Sequence, residues 1–214
     1  MAGLNGTGRL ADDLYLLAHN EATGRPHLQP RAAGLGLAGG LLAELMLAGS
    51  ISLSAGQIVT AGHFAPSEEL ARSVLSLIAG EPEPHPPREW LVFLARTAPR
   101  AVARRLEQSG YLIRVSSRRP WRSWQLAPAD PSSAFAPLLR VKSVLDPARP
   151  PATQNITLAG LAAACGLGPQ LALYLPDGAH RGIQQATCQL HPSLRGLIAH
   201  TQAAVDSALL SHRV

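Results

Sequence analysis

Arginine is the residue this sequence concentrates. Nine arginines and only two acids, Glu89 and Glu107, fall within residues 88–122. That segment carries a net charge of +7, so the rest of a chain whose total is +5 stands at −2. A guanidinium is a planar fork of N–H donors that matches phosphate oxygens two at a time. Arg100 and Arg104 are one helical turn apart and share a face, with Arg105 beside them. Arg118, Arg119 and Arg122 are interleaved with Trp121 and Trp124, and tryptophan favours the boundary between apolar and wet surroundings. A segment that offers both can seat its indoles at a membrane surface while its guanidiniums grip phosphates. Each basic group near an anionic surface contributes on the order of 1 kcal/mol, so several together give reversible docking. The chemistry predicted is therefore recognition of an anionic partner.

The sequence offers little for catalysis. There is no Walker-type phosphate loop and no G-x-S-x-G nucleophile turn. Gly34-Leu-Gly-Leu-Ala-Gly39 spells G-x-G-x-x-G, but no strand precedes it, so it reads as helix packing. The eight histidines are scattered, without metal-ligand spacing or a neighbouring acid. Cys165 and Cys188 form no short-spaced pair, which argues against a disulfide scaffold or a zinc site and fits a reducing compartment. Cys165 lies in an apolar helix and reads as an inert buried thiol. Asp12 and Asp13 read as exposed residues of the first helix. Glu44 stands alone in an apolar run and needs a basic or polar partner if it is buried. The expectation is a non-enzymatic binding protein with no catalytic residues, no metal and no cofactor. An enzyme remains a third reading, because triad members can be far apart in sequence.

The elements that must position the arginines are mostly helices. Hydrophobic residues make up 46% of the chain but aromatics only 4%, so the core is built from Leu, Ala, Val and Ile, a composition that favours helix. Leucines at 10, 14 and 17 give a first helix with one buried face. Residues 32–51 are nearly all apolar, with a Gly36/Gly40 pair. Glu44 and the many small residues argue for a central helix of a soluble core over a membrane span. Alternating arms around Ala55-Gly56 give a short hairpin. A helix capped by Ser67 follows, with Leu70, Val74, Leu77 and Ile78 on one face. Residues 80–87, rich in proline, read as a surface linker and a point where the single domain over 1–214 could subdivide. Helices over 90–94 and 99–110 lead into a second hairpin, projecting and basic, whose tip holds residues 116–122. Helices near 132–145, 156–165 and 193–210 complete a mainly α, compact domain with two short hairpins.

Several stretches, in order, resemble the bacterial (actinobacterial-type) branch of the Golgi phosphoprotein 3 family. They are Leu10-Ala-Asp-Asp-Leu-Tyr-Leu-Leu-Ala18 with Thr23-Gly-Arg25, then Gly39-Gly-Leu-Leu-Ala-Glu-Leu-Met-Leu-Ala-Gly-Ser-Ile-Ser-Leu53, then Arg104-Arg-Leu-Glu-Gln-Ser-Gly-Tyr-Leu112 and the hairpin after it. The resemblance implies a mostly helical fold with a projecting hairpin. Eukaryotic members bind phosphatidylinositol 4-phosphate on Golgi membranes and tether cargo proteins there. Their headgroup pocket uses a tryptophan, an arginine on the central helix and two arginines before the hairpin. Those positions fall here near Gln29, Ala38, Pro99 and Ala101, with Arg31, Arg100, Arg104 and Arg105 close enough in sequence to substitute.

The reading is thus a peripheral membrane protein, cytoplasmic, that binds anionic phospholipid, by resemblance phosphatidylinositol 4-phosphate. Arg31, Arg100, Arg104, Arg105, Arg118, Arg119 and Arg122 are the expected phosphate ligands. Trp121 and Trp124 are the inserting residues, and a protein cargo is a further expected partner. The alternative is a nucleic-acid-binding module, since residues 99–112 and the basic hairpin also spell the helix and wing of a winged-helix domain. The proline-rich stretch at 82–87 falls where the preceding helix-turn-helix should begin.

Overall fold

The computed structural model describes residues 6–62, 66–116 and 124–211. Its axle is the apolar run. It forms α2 (Pro30–Leu47), opened by a proline whose missing N–H costs nothing at a first helical position. A helix that is apolar all round must be covered all round. Five helices do most of this: α1 (Leu10–Leu17), α4 (Pro87–Ala95), α5 (Ala98–Gln108), α7 (Thr153–Ala164) and α10 (Pro192–Leu210). The glycine pair explains how they come so close. A β-carbon at Gly36 would strike Cys165 Sγ at the end of α7, and one at Gly40 would lie 2.9 Å from Ala11 Cα on α1. No helix among the described residues is long and apolar enough to cross a membrane.

The first hairpin forms as the alternation predicts. β1 (Ile51–Ser54) pairs antiparallel with β2 (Gln57–Thr60), in register Ile51↔Thr60 to Ser54↔Gln57. Its two-residue turn, Ala55-Gly56, has positive φ at both positions, the turn whose twist matches paired strands. Ile51 and Ile58 point into the core. The second hairpin pairs β3 (Leu112–Ser116) with β4 (Trp124–Pro128), in register Leu112↔Pro128 to Ser116↔Trp124. Its predicted tip, with Arg118, Arg119, Trp121 and Arg122, lies outside the described residues, as does the side chain of Trp124.

Two local expectations need correction. The cap of α3 (Glu69–Gly80) is Glu68, not Ser67: its carboxylate accepts from the backbone N–H of Leu70 at 2.9 Å and Ala71 at 2.8 Å. The buried face of α3 is Ala71, Val74 and Ile78, while Leu77 turns one step past it into solvent. Residues 80–87 are neither helix nor central strand except at their ends, and the Ile58 N–H donates to the carbonyl of His85 at 2.9 Å. One hydrophobic cluster draws Val74 and Ile78 from before this stretch and Leu91 and Leu94 from after it.

The remaining chain closes the far side. α6 (Pro131–Ser143) starts at an Asp130 cap and packs on α1 and α7. Two short helices, α8 (Gly168–Ala172) and α9 (Ala179–Cys188), occupy the stretch whose periodicity is too brief to read from sequence. With α10 they bring the described helices to ten.

Candidate functional site

Two groups of arginines stand out, one turned inward and one turned outward. The inward group centres on Arg105. The apolar stripe of α5 is Ala98, Val102 and Leu106, and Arg105 projects beside it, while Arg100 and Arg104 occupy the opposite, exposed face. Arg105 is therefore 5% exposed and is not available as a surface phosphate ligand, contrary to the sequence reading. Its Nε donates to Asp12 Oδ1 at 2.8 Å, its Nη2 to Glu44 Oε1 at 3.2 Å and its Nη1 to Glu68 Oε2 at 3.0 Å. Glu44 Oε1 also accepts the Ala11 N–H at 2.8 Å. Glu44 thus has the basic partner its burial requires.

Asp12 and Asp13 are buried, not exposed, and the reason is that each meets an arginine from elsewhere in the chain. Asp13 accepts from Arg140 Nη1 on α6, and from the Thr7 N–H and hydroxyl, each at 2.9 Å. Arg140 Nε reaches Asn155 Oδ1 on α7 at 2.9 Å. Burial pushes the Asp12 carboxyl up to about 7, although the Arg105 guanidinium acts against the rise. Glu44 is also raised by burial, against Arg105 and the Ala11 N–H. Glu68 is lowered: the two helix N–H groups and Arg105 outweigh its partial burial. Three carboxylates around one guanidinium favour retention of a proton on one of them. Among the described residues no group of three or more His, Cys, Asp or Glu is placed to hold a metal ion. The cation of this carboxylate cluster is the arginine itself.

The outward group lines a groove of about 420 Å³ between the start of α2, one face of α4 and the end of α10. Arg31 and Leu35 come from α2, and Arg88, Val92, Ala95 and Arg96 from α4. Ala204, Ser207, Ala208 and Ser211 form the wall from α10, at the i, i+3, i+4, i+7 spacing of one helix face. Among the described residues the lining holds three arginines and two hydroxyls but no acid. Among the described residues, none of the three arginines is ion-paired with a carboxylate. Arg31 and Arg88 each stand in the first turn of a helix, the positive end of its dipole, where a cation is disfavoured by about 0.3–1 kcal/mol. The end of α10 contributes a partial negative charge of about half a unit. That leaves most of three positive charges uncompensated in a cleft within the usual size range of ligand sites.

The sequence reading and the structure coincide on Arg31 alone in this groove. Arg100 and Arg104 are exposed on the outer face of α5 and do not line it. Of the positions that family resemblance points to, Gln29 is the residue just before α2, and Ala38 is fully buried inside it. Sequence reasoning missed Arg88 and Arg96 as site residues. Their signal was present as the i, i+4, i+8 stripe Arg88-Val92-Arg96, which sets two guanidiniums on one face of α4. It also missed an acid beside a histidine: His85 Nδ1 lies 3.0 Å from Glu89 Oε2. The Cys165 thiol is buried, as expected, and burial pushes it up to about 12.

The family model for Golgi phosphoprotein 3 (GPP34) matches residues 10–201, from the first helix into the last. No curated protein matches the chain.

Proposed function

This chain belongs to the Golgi phosphoprotein 3 family, and on that premise we propose that it is a peripheral membrane-binding protein whose Arg31/Arg88/Arg96 groove holds the phosphorylated headgroup of an anionic phospholipid. Phosphatidylinositol 4-phosphate is the headgroup the family suggests. The observation that carries the reading is a groove whose described lining holds no acid and whose three exposed arginines have no carboxylate partner among the described residues. A phosphomonoester brings nearly two negative charges and three acceptor oxygens, which suits guanidinium forks, and the hydroxyls of Ser207 and Ser211 add donors. The protein would act by binding, without catalysis, and carry its partners, a protein cargo among them, to the bilayer. The basic tip with Arg118, Arg119, Arg122, Trp121 and Trp124 is proposed as a second, less specific membrane contact, and Arg100 and Arg104 as contributors to the surrounding field.

The test is calorimetric titration with inositol 1,4-bisphosphate, the headgroup freed of its lipid tails. Wild type should bind, and Arg31→Ala/Arg96→Ala should weaken binding by about 100-fold, from about 1.5 kcal/mol per charged hydrogen bond lost. Arg118→Ala/Arg119→Ala/Arg122→Ala should leave this affinity unchanged while weakening attachment to anionic vesicles. No headgroup binding, with tight binding to duplex DNA, would overturn the proposal in favour of the nucleic-acid reading.

A further inference from the structure

Next to the groove, α4 exposes two large apolar side chains. Val92 and Phe93 are each 52% exposed, and Leu210, at the end of α10, is 67% exposed. Val92 lies within the groove lining, between Arg88 and Arg96 on the same helix face. Phe93 is braced from beneath: its ring meets the buried Trp90 edge-on, with centroids 6.0 Å apart. Leu210 adjoins Ser207 and Ser211, the two hydroxyl residues of the opposite wall. Apolar residues that face water on a rigid helix, with arginines on either side, match the layering of a membrane surface. There phosphates lie at one depth and hydrocarbon begins a few ångströms deeper. Among the described residues the acids on this flank are Glu89, paired with His85, and Asp206, exposed on α10 one turn before Leu210.

We propose that Val92, Phe93 and Leu210 form the part of the protein that enters an anionic bilayer, with α4 lying along the membrane plane and the arginine groove opening toward the lipid phosphates. The inference rests on the groove reading but adds a distinct claim. The headgroup is gripped at a site whose rim is itself in lipid, so a lipid is held more tightly than its free headgroup. Charge complementarity selects the occupant. A patch whose groove carries only positive charge suits a surface of many phosphates with apolar depth behind them.

Phe93→Ser/Leu210→Ser separates this from the groove reading, since neither residue lines the groove. Both residues are surface side chains, and an unchanged melting temperature will confirm the fold. Phe93→Leu, which keeps apolar bulk, serves as the conservative variant. Inositol 1,4-bisphosphate binding should stay within about twofold of wild type, since no arginine is touched. Affinity for phosphatidylcholine vesicles carrying phosphatidylinositol 4-phosphate should fall about 10- to 100-fold, from the apolar area no longer withdrawn from water. Phe93→Leu should retain most of it. Leu173→Ser, at the most exposed large apolar side chain outside this face, should change neither. Wild-type vesicle affinity in Phe93→Ser/Leu210→Ser would overturn the inference even if the headgroup still binds. If wild type fails to bind the headgroup but still needs Phe93 and Leu210 for vesicles, the groove reading falls and the insertion surface stands.

Discussion

Arg105 on α5 and Asp12 on α1 meet in the interior at 2.8 Å, although 93 positions separate them in the chain. With Glu44 from α2 and Glu68 at the start of α3, the contact fastens four helices at one guanidinium. It also removes from the surface an arginine that belongs to the most basic stretch of the sequence.

Removing that guanidinium while keeping its bulk should be costly. Arg105→Met leaves buried Asp12 with only the half-exposed Arg9 guanidinium, 3.9 Å away, and breaking one side of a buried ion pair costs about 3–5 kcal/mol. The expected fall in melting temperature is on the order of 10 °C. Arg105→Lys should lie between the two, because a point charge cannot meet three carboxylates as a fork does. Urea unfolding will check both, and a loss below about 1 kcal/mol for Arg105→Met would mean that the contact is structurally idle.

The same cluster sets the pH dependence of folding. Asp12 binds its proton up to about pH 7 in the folded protein, against a usual value of 3.8. Between those values the folded state holds a proton that the unfolded state has lost, so stability falls as pH rises. The contribution is fully present below about pH 3.8 and is lost as pH passes through about 7; Glu44 and Asp13 act in the same direction. Glu68, with a lowered value, acts oppositely at acid pH. Asp12→Asn is neutral throughout and keeps an acceptor for Arg105, so it should flatten the decline between pH 5 and 8, on the order of 5 °C in melting temperature. Thermal melts across that range are the measurement. An equal slope in wild type and variant would assign the pH dependence elsewhere.

Much of the architecture can be read from the sequence because local rules settle it. The Ala55-Gly56 turn and the apolar period of α1 each act within a few residues, and both appear where those rules place them. What stays hidden depends on pairings far along the chain. Asp12 and Asp13 look like surface acids until Arg105 and Arg140 arrive from other helices to neutralise them. Arg105 looks like a surface cation because its neighbour Arg104 is one. Only the helix angle, which puts Arg105 beside Val102, tells them apart. The groove was partly legible: Arg31 could be named, but joining it to Arg88 and Arg96 needs the packing of α4 and α10 on α2.

The packing of α1 on α2 depends on the absence of a side chain at Gly40. In Gly40→Ala the new methyl would lie 2.9 Å from Ala11 Cα, with backbone on the facing side that cannot rotate away. Overpacking of this kind costs about 1–3 kcal/mol, more than the gain of about 1 kcal/mol in helix propensity. Gly80→Ala is the contrast: a β-carbon there meets nothing within 4 Å, so only the propensity gain remains. Chemical denaturation should show Gly40→Ala less stable than wild type and Gly80→Ala equal or slightly more stable. If both were stabilising, α1 and α2 would not be in close contact through that position.

The groove separates charge from shape. In Arg88→Lys/Arg96→Lys every positive charge is kept, so attraction to vesicles of simple anionic lipid, and its weakening by salt, should be nearly unchanged. The guanidinium forks are gone, however, and a lysine offers a phosphate a point charge without bidentate geometry. Preference for vesicles bearing phosphatidylinositol 4-phosphate over vesicles of equal charge made with phosphatidylserine should therefore drop by about tenfold, the equivalent of roughly 1.4 kcal/mol. Paired sedimentation assays at matched surface charge give the ratio directly. A variant that keeps the wild-type ratio would show that the groove attracts by net charge alone, and that any headgroup selectivity belongs to the hairpin arginines.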